Sequence, residues 1–184
     1  MARKIIVISG PSGAGKNTLI HGLLNGNDNL EHCISTTTRD PRKGENDGDD
    51  YHFISKETFR EEMENDQFLE WAIVHENYYG TSHKEINRIH SLGKEAVLDI
   101  DVQGALQIQS KDTNSMLIFI EPPSLEVLEK RLRDRATETE EKILKRMREA
   151  KHEMEQKERY HHIVVNDTVE RAVAELKIII EANS

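Results

Sequence analysis

The sequence predicts an α/β domain built around a parallel sheet. Four short apolar segments rich in isoleucine and valine alternate with stretches of helical periodicity, as expected for strands that helices cover on both faces. They are residues 4–9, 95–101, 115–120 and 162–166. A glycine-rich turn directly follows the first segment, and residues 35–81 show a different sequence pattern. We therefore expect a sheet that carries a ligand-binding turn and an inserted subdomain.

Residues 10–18, which read Gly-Pro-Ser-Gly-Ala-Gly-Lys-Asn-Thr, are typical of a turn that binds a polyphosphate. The glycines let the backbone approach the anion, while N–H groups and the N-terminus of the next helix point at it. The expected phosphate contacts are Gly10, Pro11, Ser12, Gly13, Ala14, Gly15, Lys16, Asn17 and Thr18. The pattern departs from its usual form at Asn17, where a serine or threonine normally places a hydroxyl on Mg²⁺. An ordinary glycine-rich turn is the alternative, and the position between a strand and a helix argues against it.

Length and composition fit one domain over residues 1–184. A chain of 184 residues buries roughly 70% of its unfolded surface on folding. The net charge of −9 argues against a general binder of nucleic acid or anionic membranes, so any anionic ligand must meet locally concentrated cations. The single cysteine, Cys33, excludes an intrachain disulfide and a cysteine-rich zinc site. The N-terminal apolar run is too short for a signal or membrane segment, which predicts a cytoplasmic protein.

The inserted subdomain is expected over residues 35–82. Three short strands are predicted there, at residues 36–38, 51–54 and 68–75, together with an acidic helix near residues 56–65. A polar turn connects the first two strands.

A pair of helices is expected to project from the core over residues 124–158. The first follows Pro122-Pro123 and runs to Arg135, and a capping box that starts at Thr137 opens the second, which runs to about Lys157. The face of the second helix carries arginines in place of a broad apolar stripe, so we do not expect it to pack on the sheet. A last amphipathic helix at residues 169–182 does have that stripe. The core then comprises residues 1–34, 83–123 and 159–184.

Arginines and phenols in the inserted subdomain suit an anionic group. Arg39 and Arg42 lie three positions apart around a proline, a spacing that allows bidentate binding of a phosphate. Tyr51 and Tyr79 add two hydroxyls. The arginines alone are a weak signal, because surface arginines beside an aspartate often form only solvated pairs.

Glu70 is the candidate for recognition of a base. It lies in an apolar stretch with Trp71, where a carboxylate needs donors. The N1–H and N2–H₂ groups of guanine form such a donor pair, adenine offers none, and a hydroxyl at Ser35 can donate to guanine O6. The alternative is a strand residue that is bonded to backbone or water.

Asp99 and Asp101 end a predicted strand, at the sheet edge where α/β proteins bind ligands. By the period of two they share a face, where they can hold Mg²⁺ through water or fix substrate-binding arginines. The alternative is structural hydrogen bonding to a loop.

Three arginines of the helical pair, Arg131, Arg135 and Arg146, are expected to reach bridging phosphates when the pair closes. Each alone also fits a solvated helix face, and Arg133 and Arg148 are assigned to that class.

Taken in order along the chain, these segments resemble the guanylate kinases almost from end to end. The shared motifs are G-P-S-G-x-G-K, S-T-T-T-R-x-P-R, G-x-D-Y-x-F, F-L-E-W, N-Y-Y-G, L-D-I-D-x-Q-G, R-x-x-x-R-x-T-E-T-E-E and V-V-N-D. The resemblance implies Mg²⁺-dependent transfer of the ATP γ-phosphoryl group to GMP, and to dGMP, in a phosphate-loop nucleoside monophosphate kinase fold with a GMP-binding subdomain and a helical lid.

The resemblance also implies roles for individual residues. Lys16, Arg39, Arg135 and Arg146 would be catalytic, and Arg131, Arg135 and Asn166 would bind ATP beside the phosphate loop. The GMP site would comprise Ser35, Arg39, Arg42, Tyr51, Glu70, Tyr79, Gly80, Thr81, Asp99 and Asp101. Asn17 and, through water, Asp99 would face the metal. The expected partners are GMP and ATP, with no nucleic acid or membrane, and the chain would be a monomer or homo-oligomer.

Three departures from the family pattern are Asn17, Thr81 where serine is common, and Ala136 where glycine often follows the lid arginine. Two other functions stay open from the sequence. Guanylate-kinase-like domains of membrane-associated scaffolds bind phosphopeptides without catalysis, but they typically lose the loop lysine or the lid arginines. A kinase for another small acceptor is the second alternative, which Glu70 beside Ser35 disfavours.

Overall fold

The computed structural model describes residues 4–74, 76–111, 114–134 and 139–183. Its strands are β1 (Ile5–Ser9), β2 (Leu30–His32), β3 (Thr36–Thr37), β4 (His52–Phe53), β5 (Phe68–Val74), β6 (Asn77–Ser82), β7 (Glu95–Asp99), β8 (Ser115–Glu121) and β9 (His162–Val165). Its α-helices are α1 (Lys16–Leu24), α2 (Lys56–Glu64), α3 (His83–Ser91), α4 (Val102–Lys111), α5 (Leu125–Asp134), α6 (Glu140–Glu155) and α7 (Val169–Ala182).

The core is a five-stranded parallel sheet in the order β2-β7-β1-β8-β9. The four predicted core strands are therefore confirmed, and β1 lies at the centre because its residues are apolar and fully covered. Strand β2 was not predicted. It has three residues and only Leu30 is buried, so it carries no periodic pattern that a sequence could show.

Alternate residues of β1 pack into two different layers, as the pleat of a strand requires. Val7 contacts the layer formed by α3 and α4, with Ile89 and Ile108 in its centre. Ile8 contacts the layer formed by α1 and α7, with Leu23 and Leu176 in its centre. The last helix thus packs on the sheet as its apolar stripe predicted.

A second, four-stranded sheet in the order β4-β3-β6-β5 forms the insertion, with α2 packed on it. Its core is aromatic: Phe59 of α2 is fully buried and stacks on Phe68 and Tyr78 at centroid distances of 4.3 and 5.1 Å. The insertion is joined to the core through α4, where the Gln107 amide exchanges two hydrogen bonds with the backbone of Trp71.

The helical pair α5 and α6 has a small apolar cluster of its own, formed by Leu128, Leu132 and Ala150. This cluster is distinct from the two core layers, although Met154 of α6 packs against the layer of α3 and α4. Thr137, where we expected a capping box, lies outside the described residues, as do Arg135 and Ala136. Helix α6 itself begins at Glu140 with Thr139 in the N-cap position.

Candidate active site

One cavity of about 710 Å³ lies where the core sheet, the second sheet and α6 meet. Three groups of the predicted site residues line it: Gly10, Ser12, Lys16 and Asn17 from the glycine-rich turn; Ser35, Tyr51, Glu70, Tyr79 and Gly80 from the second sheet; and Asp99, Asp101 and Arg146. The fold therefore brings together residues that are up to 136 positions apart, from Gly10 to Arg146.

The glycine-rich turn has the backbone geometry of an anion cradle. Gly10, Gly13 and Gly15 have φ angles of 138°, 91° and 93°, values that residues with a side chain rarely adopt. Helix α1 begins directly after the turn, so its free N–H groups face the cavity. The ammonium group of Lys16 donates to the Gly10 carbonyl at 2.8 Å, which keeps it folded back over the turn.

Two residues that were predicted to contact ATP form hydrogen bonds with the backbone of this turn. Asn166 is almost fully buried, and its amide donates to the Ala14 carbonyl at 2.7 Å. The Arg131 guanidinium donates to the Asn166 carbonyl at 2.9 Å and to the Ala14 carbonyl at 3.4 Å. Neither residue lines the cavity, so contact with adenine or phosphate stays a prediction for both.

Glu70 is a buried carboxylate whose edge faces the cavity. It is only 3% exposed, and the hydroxyl of Thr81 on β6 donates to its Oε1 at 2.6 Å. Burial raises the pKa of Glu70 to about 7, which the Thr81 hydrogen bond partly offsets and the charge of Asp101 reinforces. Thr81 itself is fully buried and does not line the cavity, so in this structure it orients Glu70.

The Arg39 side chain lies beside the cavity among aromatic rings. Its guanidinium stands 5.4 Å from the centroid of the Tyr51 ring, and its two terminal nitrogens donate to the Glu45 carboxylate at 2.9 Å each. The Glu45 hydrogen bonds raise the pKa of Arg39 above its usual value. Sequence reasoning missed Glu45, and its only signal was an acidic residue in a polar turn. Arg42 is exposed and does not line the cavity, although its backbone N–H also donates to Glu45.

The two aspartates at the end of β7 have different surroundings. Asp101 Oδ1 accepts a hydrogen bond from the Gly104 backbone N–H at 2.8 Å, the bond that an N-cap residue makes, so part of its carboxylate is structural. Burial raises the pKa of both carboxyls, an effect that the positive charge of Lys16 opposes in each, but among the described residues Asp99 has no such bond to the backbone. Asp99 is thus the freer of the two toward a ligand.

The face of α6 that lines the cavity carries more charge than the sequence led us to expect. Beside Arg146 it presents Lys145, Glu149, His152, Glu153 and Gln156. Burial raises the pKa of Glu153 to about 7. Sequence reasoning missed these residues because nothing distinguishes them from those of a solvated helix face. Arg133, assigned to that class, forms ion pairs with Glu129 and Glu140 and so links α5 to α6.

The cavity residues fit a magnesium ion that is held mainly by water and phosphate. Within the described ranges, no group of three or more histidine, cysteine, aspartate or glutamate side chains is placed to hold a metal. Asn17 and Asp99 both line the same cavity, and amide and carboxylate oxygens are the ligands that Mg²⁺ prefers. Also within the part of the chain that the structure describes, no helix has both the length and the apolar character needed to cross a bilayer.

Comparison with known proteins gives one family throughout. The family model for guanylate kinase matches residues 2–183. A guanylate kinase of Caldanaerobacter subterraneus is 46% identical over 178 residues, covering 97% of this chain and 86% of that protein. A guanylate kinase of Schizosaccharomyces pombe is 44% identical over 180 residues, covering 96% and 89% respectively.

Solved structures give the same result. The crystal structure of guanylate kinase from Anaplasma phagocytophilum is similar to this one with a TM-score of 0.79 and 32% identity, covering 98% of this chain and 85% of that one. The protein TT1252 from Thermus thermophilus has a TM-score of 0.56 at 16% identity over both full chains, which shows a shared fold alone.

Proposed function

Since the chain belongs to the guanylate kinase family, and is therefore an enzyme that transfers the γ-phosphoryl group of ATP to GMP, we propose how its own residues divide that work. The phosphate loop and the helical pair, residues 124–158, hold ATP. The insertion, residues 35–82, holds GMP. The single observation that supports this division is the shared cavity, which has the phosphate loop on one wall and Glu70 with Tyr51 and Tyr79 on the other.

The donor nucleotide is held through the turn that follows β1. Backbone N–H groups and the start of α1 surround the phosphates, and Lys16 releases the Gly10 carbonyl to reach the outer phosphates. Asn17 and Asp99 would hold Mg²⁺, directly or through water, and a bound Mg²⁺ neutralises phosphate charge. Asn166 and Arg131 keep the loop in place from behind.

The acceptor base is read by Glu70. Its ionised carboxylate accepts the N1–H and N2–H₂ groups of guanine, and Ser35 donates to O6. The 2.6 Å bond from Thr81 holds the carboxylate in place. Adenine offers no matching donor pair, so AMP would leave the buried carboxylate with the Thr81 hydroxyl but without the two donors of the base, which costs about 1–3 kcal/mol or more.

The acceptor phosphate is held by Arg39, Arg42, Tyr51 and Tyr79. Arg39 is oriented by Glu45, which accepts hydrogen bonds from its two terminal nitrogens, and would exchange part of this pairing for the phosphate. Arg42 lies on the exposed side of the same turn and would reach the phosphate by moving its side chain.

Catalysis consists of positioning and charge neutralisation. A phosphate oxygen of GMP is already anionic and nucleophilic, so the reaction requires no strong general base. Lys16, Arg39, Arg146 and Arg135 spread the charge of the transferred group. Closure of the helical pair excludes water, which otherwise competes for the phosphoryl group.

Both substrates are small soluble nucleotides, and we place the enzyme in the cytoplasm, as a monomer or homo-oligomer that binds neither nucleic acid nor membrane. Sedimentation with and without nucleotides measures the assembly state.

The activity is tested by ADP release from Mg-ATP with GMP, dGMP, AMP, CMP or UMP as acceptor. We expect turnover with GMP and dGMP alone. Equal turnover with AMP would contradict the proposed role of Glu70, and a phosphopeptide-binding module would show no turnover with any acceptor. Glu70→Gln is expected to lose the preference for GMP over AMP while ATP binding stays nearly intact.

A further inference from the structure

Gly104, in the first turn of α4, lies against the carboxylate of Glu70. A Cβ atom built on Gly104 would stand 2.3 Å from Glu70 Oε2 and 3.0 Å from its carboxyl carbon. Real Cβ atoms essentially never approach another heavy atom closer than 3.0 Å. Gly104 is itself buried and does not line the cavity, so any effect on a ligand must act through Glu70.

The backbone of α4 does not explain a glycine at this position. Gly104 does not have a positive φ angle, and it lies within a regular helix. Its N–H donates to the Asp101 carboxylate, a bond that any residue except proline can make. Glycine in a helix is less stable than alanine by roughly 1 kcal/mol, so local structure favours alanine here.

Glu70 cannot move away from a side chain at position 104 without losing its present position. Its Oε1 is fixed by the 2.6 Å bond from Thr81, and the whole residue is 3% exposed. Asp101 Oδ1 would stand 3.4 Å from the same Cβ. The Cβ could therefore not move away from Glu70 toward the aspartate. An alanine would therefore turn the carboxylate toward the cavity, break the bond to Thr81, or shift α4.

We infer that Gly104 is a positioning residue for base specificity: the missing side chain lets the Glu70 carboxylate lie between Thr81 and α4, with its edge free for the donor pair of guanine. The inference rests on the proposed role of Glu70 in reading the base. It adds that this reading depends on a residue that touches no substrate.

The test compares Gly104→Ala with Gly22→Ala as a matched control. Gly22 is a half-buried glycine of a regular helix, and its Cβ would meet a methyl carbon of Val173 at 2.8 Å, where α1 packs against α7. The measurements are KM for GMP, kcat, the ratio of GMP to AMP turnover, the Kd of a non-hydrolysable ATP analogue, and the melting temperature.

For Gly104→Ala we expect KM for GMP to rise about tenfold or more, the preference for GMP over AMP to fall, and the Kd of the ATP analogue to change by less than about twofold. For Gly22→Ala we expect no change in base preference. If Gly104→Ala keeps the wild-type KM and preference, or weakens GMP and ATP binding equally with a lower melting temperature, the inference is wrong.

Glu70→Gln separates this inference from the proposed function on which it rests. If Glu70→Gln keeps the GMP preference, the base-reading role itself fails. If Glu70→Gln loses the preference while Gly104→Ala keeps it, only the role of Gly104 fails. In the double variant we expect the alanine to add less than about twofold to the KM for GMP, because the interaction that it disturbs is already lost.

Discussion

At the scale of single residues, the environment of Glu70 connects the fold with substrate choice. The strand β5 buries this carboxylate, and burial raises its pKa to about 7, so near neutral pH it is divided between the neutral and ionised forms. The N1–H and N2–H₂ donors of guanine stabilise only the ionised form. Binding of GMP and loss of a proton from Glu70 are therefore coupled.

This coupling predicts that GMP binds more tightly as pH rises. Below the pKa of about 7 the carboxyl must lose a proton before it accepts the guanine donors, so the Kd for GMP should fall by up to tenfold per pH unit and level off above that pKa. Calorimetric titration with GMP between about pH 6 and about pH 8 measures this. The phosphate of GMP titrates in the same range, and Glu70→Gln controls for it because it keeps that titration. Equal slopes in both proteins would contradict the coupling.

Asn17 provides a second prediction at this scale. Its amide oxygen lines the cavity where a hydroxyl normally faces Mg²⁺, and we expect it to serve the ion less well than a hydroxyl does. Asn17→Ser should therefore lower the Mg²⁺ concentration that gives the half-maximal rate. The rate is measured against Mg²⁺ at saturating nucleotides, with Asn17→Ala as the control that lacks either ligand. A requirement that is unchanged or raised in the serine variant would argue against this role.

At the scale of elements, the second sheet depends on one aromatic stack. Two of its four strands have only two residues, and its three stacked rings belong to α2, β5 and β6. The core sheet, by contrast, has helices on both faces. The two parts of the molecule should therefore differ in their resistance to substitution.

Phe59→Ala tests that difference. Removal of a buried phenylalanine side chain costs about 3–5 kcal/mol of stability. Here the loss affects the sheet that carries Glu70, Tyr51 and Tyr79. We expect KM for GMP to rise more than about tenfold while the Kd of an ATP analogue changes by less than about twofold. Phe59→Leu, which keeps most of the apolar volume, should show a much smaller effect. Equal loss of both nucleotides would mean that the two sheets unfold as one unit.

At the scale of the whole molecule, the cavity is lined by three parts of the chain: the core, the insertion and α6. Charges of both signs line it: Lys16, Lys145 and Arg146 are cationic, and Glu70, Glu149 and Glu153 are acidic. Nucleotide phosphates would change this balance by pairing with the cations, and so draw the helical pair toward the phosphate loop.

We therefore expect the radius of gyration, near ~16 Å for a chain of this length, to decrease when GMP and an ATP analogue are both bound. Small-angle X-ray scattering measures it for the free protein, each single complex and the ternary complex. The decrease should be largest in the ternary complex, because only there do phosphates fill both sides of the cavity. Four equal radii of gyration would show that the helical pair does not close toward the phosphate loop.

Much of the architecture could be predicted from the sequence. The phosphate loop is nine consecutive residues, and α7 was predicted with both of its ends, because these features depend on neighbours along the chain. Strands β2 and β6 were missed for the opposite reason. Leu30–His32 is too short to show a period, and Asn77–Ser82 is a polar and aromatic segment that becomes a strand because β5 lies beside it.

The sequence by itself determined which side chains were available for the reaction, since a lysine after three glycines, a carboxylate in an apolar strand and arginines around a proline are local patterns. Only the tertiary structure decided what holds those side chains in place. Glu45 on Arg39, Thr81 and Gly104 on Glu70, and Asn166 behind the phosphate loop are contacts that range from 6 to 152 positions along the chain. Such single contacts form only when the chain has folded, and unlike an apolar stripe they leave no periodic pattern in the sequence.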